Sequence, residues 1–335
     1  MLNAGLGTVE VGASFTLTIP AALSGVGGLA KTGFGTLVLG NSANAYLGST
    51  RVSSGELVLP TGAAITATSD VVVASGATFT VASGAAVSSP VDVSISGAAN
   101  ISGSVAGYAQ VESGGLLTGS GNIGGVELAA GGMISPGSGV GTMTAATTAG
   151  NTFAGGGFFE FQFRNADIDP LTAGTQGSAG TDWDFLNLAG GALEIAATSG
   201  DRFTIYVDSW LGDGSGHGLA DNFDPMADYS WKFLEANGGI TFTGGSSDVF
   251  AVDAERFAAG VFGTANPYTI VAGRGFYVTS LDNSLYLNYG DYAAVPEPSS
   301  LLLTSLAAGF WAWRRRRNRR NAGEKTEAVA LCSVE

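Results

Sequence analysis

The chain has 335 residues, 53 of them glycine against only nine prolines, and one cysteine. So much glycine excludes a mainly helical protein, because each helical glycine costs about 1 kcal/mol relative to alanine, while the single Cys332 excludes an intramolecular disulfide, a Cys-rich metal site and a CxxC redox pair. Apolar residues make up 45% of the chain, which excludes wholesale disorder; residues 1–295 hold seven basic and 24 acidic residues, net −17, which excludes nucleic acid as a partner and favours a body repelled by anionic lipid.

Residues 1–20 have no basic residue and alternate at Val9, Val11, Phe15, Leu17 and Ile19. That pattern predicts strands and lacks the basic n-region and apolar core of a secretory leader. We expect such a leader to lie upstream of Met1.

From Gly25 to Pro60 the chain reads GVGGLAKTGFGTLVLGNSANAYLGSTRVSSGELVLP. Leu37 and Leu39 alternate with Thr36 and Val38, Leu57 and Leu59 with Glu56 and Val58, and Gly or Asn punctuates between, so the segment reads as strand, turn, strand. The arrangement G-x-L-x-K-x-G-x-G-x-L-x-L, N-x-Y-x-G-x-T and S-x-G-x-L-x-L from Gly28 to Leu59 resembles the autotransporter-associated β-strand repeat. The resemblance implies one rung of a right-handed parallel β-helix on an exported bacterial protein.

A small residue plus glycine opening an apolar strand recurs at Gly55, Gly76, Gly97, Gly114 and Gly131. Spacings of 17 to 21 residues are those of stacked β-solenoid coils, although Gly84 and Gly103 fall between the others. The segment LLTGSGNIGGVELAAGGMISPG (116–137) resembles the stretch that closes such helices in passenger-like proteins. Residues 1–150 are therefore expected to form the solenoid.

After residue 150 the strands become aromatic: FFEFQF (158–163), WDFLNL (183–188), RFTIYV (202–207), YSWKFL (229–234) and GFYVTSLDNSLYLNY (275–289). The last reads as a hairpin turning at Asp282-Asn283. The segment 180–205 resembles one found in proteins that carry the C-terminal signal described below. These features predict an antiparallel β cap or sandwich over 151–292, covering the end of the solenoid.

Residues 296–320 read PEPSSLLLTSLAAGFWAWRRRRNRR. An uncharged run from Ser299 to Trp313 would span about 22 Å as a helix, short of a bilayer core of about 30 Å, and Trp311, Trp313 and snorkelling arginines can bridge the difference. Arg314, Arg315, Arg316, Arg317, Arg319 and Arg320 form a membrane-stop cluster that keeps the C-terminus cytoplasmic. The arrangement resembles a PEP-CTERM sorting domain. By that resemblance Pro296, Glu297 and Pro298 are the motif read by an exosortase, a membrane-embedded cysteine protease-like transpeptidase. The segment then holds the precursor in the inner membrane until cleavage passes the body to the cell surface or the medium. A tail, 321–335, follows in the cytoplasm.

Catalytic chemistry finds little material. No Lys, Arg or His lies between Val52 and Phe163, so a lyase would lack its proton acceptor on the solenoid. Asp70, Asp92 and Glu112, spaced 22 and 20, read either as solvent-facing charge or as one column able to attract a cation. The loop DSWLGDGSGHGLADNFD (208–224) carries Asp208, Asp213, Asp221, Asp224 and the only histidine, His217. Its DGSGHG core is similar to a Ca²⁺ loop without the closing Glu, and a Gly-rich surface loop is the plainer reading. Trp183, Trp210 and Trp231 read as packing residues or as a platform for sugars. The sequence thus points to a non-enzymatic structural or adhesive surface protein without a cofactor; a β-helix that binds or degrades an extracellular polysaccharide is the alternative.

Overall fold

The computed structural model describes residues 1–146, 150–167, 177–244, 248–258 and 273–291, and Met1–Asp291 form one compact unit. The described residues are all-β apart from one helical turn, Glu255–Ala258. Each coil contributes three short strands, one to each of three columns. One column is a ten-stranded sheet that follows chain order from Thr16–Ile19 to Phe250–Asp253 with parallel pairing at each step. The other two columns are merged into a seventeen-stranded sheet because Ser104–Val111 and Asn122–Leu128 run through both, save that Ser24–Gly25 and Ala45–Tyr46 at the start of one column pair as a separate two-stranded sheet.

Parallel register fixes the coil length. Thr16 pairs with Thr36, Thr36 with Glu56, Gly55 with Ala77, Thr78 with Ala98, Ala98 with Leu116 and Leu116 with Met133. These steps run from 17 to 22 residues, as the glycine spacing predicts. Gly55, Gly76, Gly114 and Gly131 occupy the corner before the ten-stranded sheet with φ between 65° and 79°, where a side chain would be strained. Gly97 fills the same corner for another reason: a Cβ there would stand 2.3 Å from the Ala74 carbonyl oxygen. Gly84 and Gly103 belong to a second corner, leading into Ala86–Val87 and Ser104–Val111.

Stacking also builds the core, because register places equivalent side chains over one another. Leu37, Leu57, Phe79, Ala99, Leu117, Ile134, Phe159 and Ile205 form one inward column, each at most 1% exposed. Burying each large member is worth about 1.5–3 kcal/mol. The first coil is packed from one side, and Phe15 (71%) and Leu17 (43%) are exposed there.

The antiparallel cap expected over 151–292 is corrected. Parallel pairing crosses residue 150 unchanged: Asn151–Ala154 pairs with Leu193–Ala196, Phe158–Phe163 with Phe203–Ser209, and Phe185–Leu188 with Tyr229–Ala236. Coil length changes instead, to 25, 46 and 47 residues per step, from the pairs Met133 with Phe158, Phe158 with Thr204, and Phe203 with Phe250. The added residues emerge largely at one corner, after Phe163 and after Ser209. Apart from isolated bridges, antiparallel pairing between the described strands is confined to the end, where Ser284–Asp291 lies between Tyr229–Ala236 and Arg274–Leu281. Its turn falls at Asp282 and Asn283, both with positive φ, as the sequence predicts. Alternation has period two in parallel and antiparallel strands alike, which is why the aromatic strands misled.

Three polar residues of the 28–59 segment are buried and tie neighbouring coils. Lys31 is 0% exposed, and its Nζ donates to the carbonyls of Thr32 (2.9 Å), Gly33 (2.7 Å) and Ser54 (3.0 Å); burial lowers its pKa. Asn44 accepts from Leu23 N at 3.1 Å and donates to Ala64 O at 2.9 Å, joining the coils on either side. Tyr46 bonds Thr50 at 2.6 Å, Thr50 bonds Thr68 at 3.0 Å, and Thr68 donates to Gly48 O at 2.8 Å. Burial pushes the Tyr46 phenol up to about 12.

Lys31→Met keeps the stem but removes the Nζ donor from three carbonyls: Thr32 O keeps Val11 N and Gly33 O keeps Ser54 Oγ, while Ser54 O loses its donor. It should destabilise the N-terminal coils by about 2–4 kcal/mol, nearly as much as Lys31→Ala, read as a fall in the urea midpoint. An unchanged midpoint for Lys31→Met would show that solvent reaches those carbonyls.

Candidate functional site

The enlarged corner of the last coils gathers a dense group of titratable side chains. Phe158–Phe163 turns Phe159, Phe161 and Phe163 into the core, so Glu160 and Gln162 face outward. In the next coil Phe203–Ser209 does the same, and Asp208 stands directly opposite Gln162. Loops leaving this corner cover both residues: Gln162 is 5% exposed and Asp208 1%.

Asp184, which leads into Phe185–Leu188, is fully buried. Its Oδ1 accepts from Gly141 N and its Oδ2 from Gln162 N, both at 2.9 Å. The strand Met133–Pro136 pairs with Phe158–Phe163 only as far as Phe159, so Asp184 supplies the acceptor that a neighbouring strand would otherwise give to Gln162. Burial, partly offset by those two bonds, raises its pKa well above the usual carboxylate value, and the charges of Glu160 and Asp208 push the same way. Asp208 is also raised, by burial first, while His217 opposes the shift. His217 Nδ1 lies 2.6 Å from Asp208 Oδ2, and its ring sits 4.7 Å from that of Trp210. Glu160 accepts from Ser135 Oγ at 2.8 Å and pairs with Arg256 at 2.6 Å.

The cluster is a closed one. Two carboxylates of unequal proton affinity are the material of acid–base catalysis, but Asp184 and Asp208 offer a substrate no surface. Among the described residues no three His, Cys, Asp or Glu side chains come together as metal ligands.

The other singled-out residues are dispersed. Asp213 Oδ1 accepts from Ser215 N, and Asp224 Oδ1 from Met226 N, each closing its own turn; the serine hydrogen bonds hold Asp213 below the usual carboxylate value. Asp221 joins the corner loops, its amide donating to Arg164 O and its carbonyl accepting from Ala166 N. Asp70 and Asp92 share a column, each preceding one of the paired strands Val71–Val73 and Val93–Ile95. Glu112 follows Val111, which pairs with Ile95, so it sits a strand length away and the three-carboxylate column is not formed. Trp231 is 0% exposed and stacks on Tyr229 at 5.1 Å, and Trp183 donates Nε1 to Lys232 O at 2.9 Å from a 7% exposed position. Both are core residues and cannot form a sugar platform. The sequence reading missed Glu160 and Asp184, although Glu160 alternating with phenylalanines in FFEFQF marked it as the outward member of a buried strand.

Pro296, Glu297 and Pro298, the segment 299–313 and Arg314, Arg315, Arg316, Arg317, Arg319 and Arg320 lie outside the described residues, as does the tail 321–335. No helix among the described residues is long and apolar enough to cross a membrane.

The body is thus a parallel β-solenoid closed by one reversed hairpin. Two protein-family models match the chain: the passenger-associated-transport-repeat over residues 29–59 and the PEP-CTERM protein-sorting motif over residues 294–317. The first match covers the residues from Leu29 to Leu59 that include Lys31, Asn44 and Tyr46; the second covers the motif and the first four arginines. No curated protein matches the chain.

Asp184→Ala should leave two buried amides unsatisfied and destabilise the last coils by about 2–4 kcal/mol. The expected readout is loss of exchange protection at Gly141 and Gln162 while Leu57 and Phe79 keep theirs. Equal protection in both proteins would show that water replaces the carboxylate.

Proposed function

We propose that this chain is an exported structural or adhesive surface protein, delivered to the cell envelope by an exosortase that reads Pro296, Glu297 and Pro298. The PEP-CTERM match over 294–317 carries the reading, and the transport-repeat match supports an exported body. The run 299–313 serves as a short membrane anchor and the six arginines stop it. Each arginine costs about 2.5–3.5 kcal/mol at the centre of a membrane helix, so the cluster stays in the cytoplasm and the body lies outside. Winding is right-handed, the hand that parallel crossover connections take in nearly all cases. The body carries no catalytic role and no cofactor in this reading.

A body that binds or degrades an extracellular polysaccharide is the second reading, and the outward stacked pair Phe158 and Tyr206, 5.2 Å apart, is the feature that favours it. A glycan array and a reducing-sugar assay on the purified chain separate the two: retention on the array, or sugar release, supports the second.

In a host with the matching exosortase, Pro296→Ala, Glu297→Ala and Pro298→Ala together should leave a full-length precursor in the inner membrane. Replacing the six arginines by glutamine should instead give unprocessed precursor beyond it. Cleavage at the normal size in either variant, seen by blotting of fractions, would overturn the assignment.

A further inference from the structure

The corner loop 210–218 folds back on the last coils through a titratable pair. Trp210 and His217 form an antiparallel bridge, Leu211 N donates to Gly216 O at 2.9 Å, Gly218 N donates to Ser209 O at 3.0 Å, and Ser209 Oγ donates to Gly218 O at 2.7 Å. This hairpin places His217, with 39% of its side chain exposed, against the sealed Asp208 carboxylate.

The groups facing Asp208 are unevenly charged. Glu160 from Phe158–Phe163 repels it, His217 from the loop attracts it, Asp208 in turn raises Asp184 from the segment ahead of Phe185–Leu188, and Arg256 on the turn Glu255–Ala258 is engaged with Glu160. Gln162, opposite Asp208 in register, has a buried Oε1 without a donor. Acceptors therefore face acceptors. A metal ion is disfavoured by the lack of converging ligands among the described residues, whereas a proton answers both needs. Placed on Asp208, it removes the buried charge and provides the donor that Gln162 lacks.

We propose that Asp208, His217 and Gln162 form a proton-operated latch, which holds the loop 210–218 on the outer face of the last coils in acid and releases it as the pH rises. The raised Asp208 sets the same direction. An acid whose pKa rises on folding holds its proton more tightly when folded, so its stabilisation is complete below the ordinary value of 3.8 and is lost as pH climbs through the raised one.

Hydrogen exchange on the full chain at pH 5 and pH 7.5, corrected for intrinsic rates, tests the latch at the amides of Leu211, Gly214 and Gly218. Protection there should fall severalfold at the higher pH, while Leu57 and Phe79 stay constant. Asp208→Asn carries a permanent donor and should keep the loop protected equally at both values; Gln162→Leu removes the acceptor and should shrink the acid-side gain. His217→Gln should loosen the loop at pH 5. A flat or rising profile in the unaltered chain, or an undiminished pH dependence in either Asp208→Asn or Gln162→Leu, overturns the proposal.

Discussion

Parallel register is the constraint on which the rest of this molecule depends. Once Thr36 pairs with Glu56 and Gly55 with Ala77, the inward positions of successive coils coincide. A side chain must then pack against its equivalent above and below. Apolar columns such as Leu37, Leu57 and Phe79 meet this condition at no polar cost. Polar side chains are admitted to the interior where they satisfy backbone groups that the corners leave over, as Lys31 and Asn44 do.

The same rule explains how length can be added without changing the fold. A coil is defined by its three ladder segments, and the chain between them is free to lengthen as loop closure grows only slowly costlier. The last coils use this freedom at a single corner, so that loops from successive turns meet one another, as Asn165 and Asp221 do. Polar groups are enclosed there because loops, rather than strands, cover that part of the outer face.

Much of the solenoid was legible because its corners demand glycine and its ladder demands a constant step, and both survive in one dimension. Lys31, Asn44 and Tyr46 stood out as members of a repeat, but their spacing does not reveal that each is buried and each ties coils together. The later strands were found in place yet assigned the wrong partners. Direction of pairing leaves no trace in alternation, and loops of twenty residues hid the repeat. Asp184 was illegible for a further reason: it caps the amide of Gln162, 22 residues away, and only folding makes them neighbours. Of the candidate residues in the loop, Asp208 and His217 are brought together, while Asp213 and Asp224 serve their own turns.

A parallel stack is a template, and the edge of its last coil is a seat on which an identical coil from another molecule could settle, turning a monomer into the first unit of a fibre. The strand Ser284–Asp291 interrupts that template. Running opposite to both neighbours, and fastened at the end by Arg274 to Asp228 and Asp291, it occupies the edge of Tyr229–Ala236 with the alternating narrow and wide pairs of an antiparallel ladder in place of the evenly slanted bonds of a parallel one. The reversed hairpin thereby fills one of the three column edges of the last coil from within the chain, so that a second molecule seeking that seat finds it already taken.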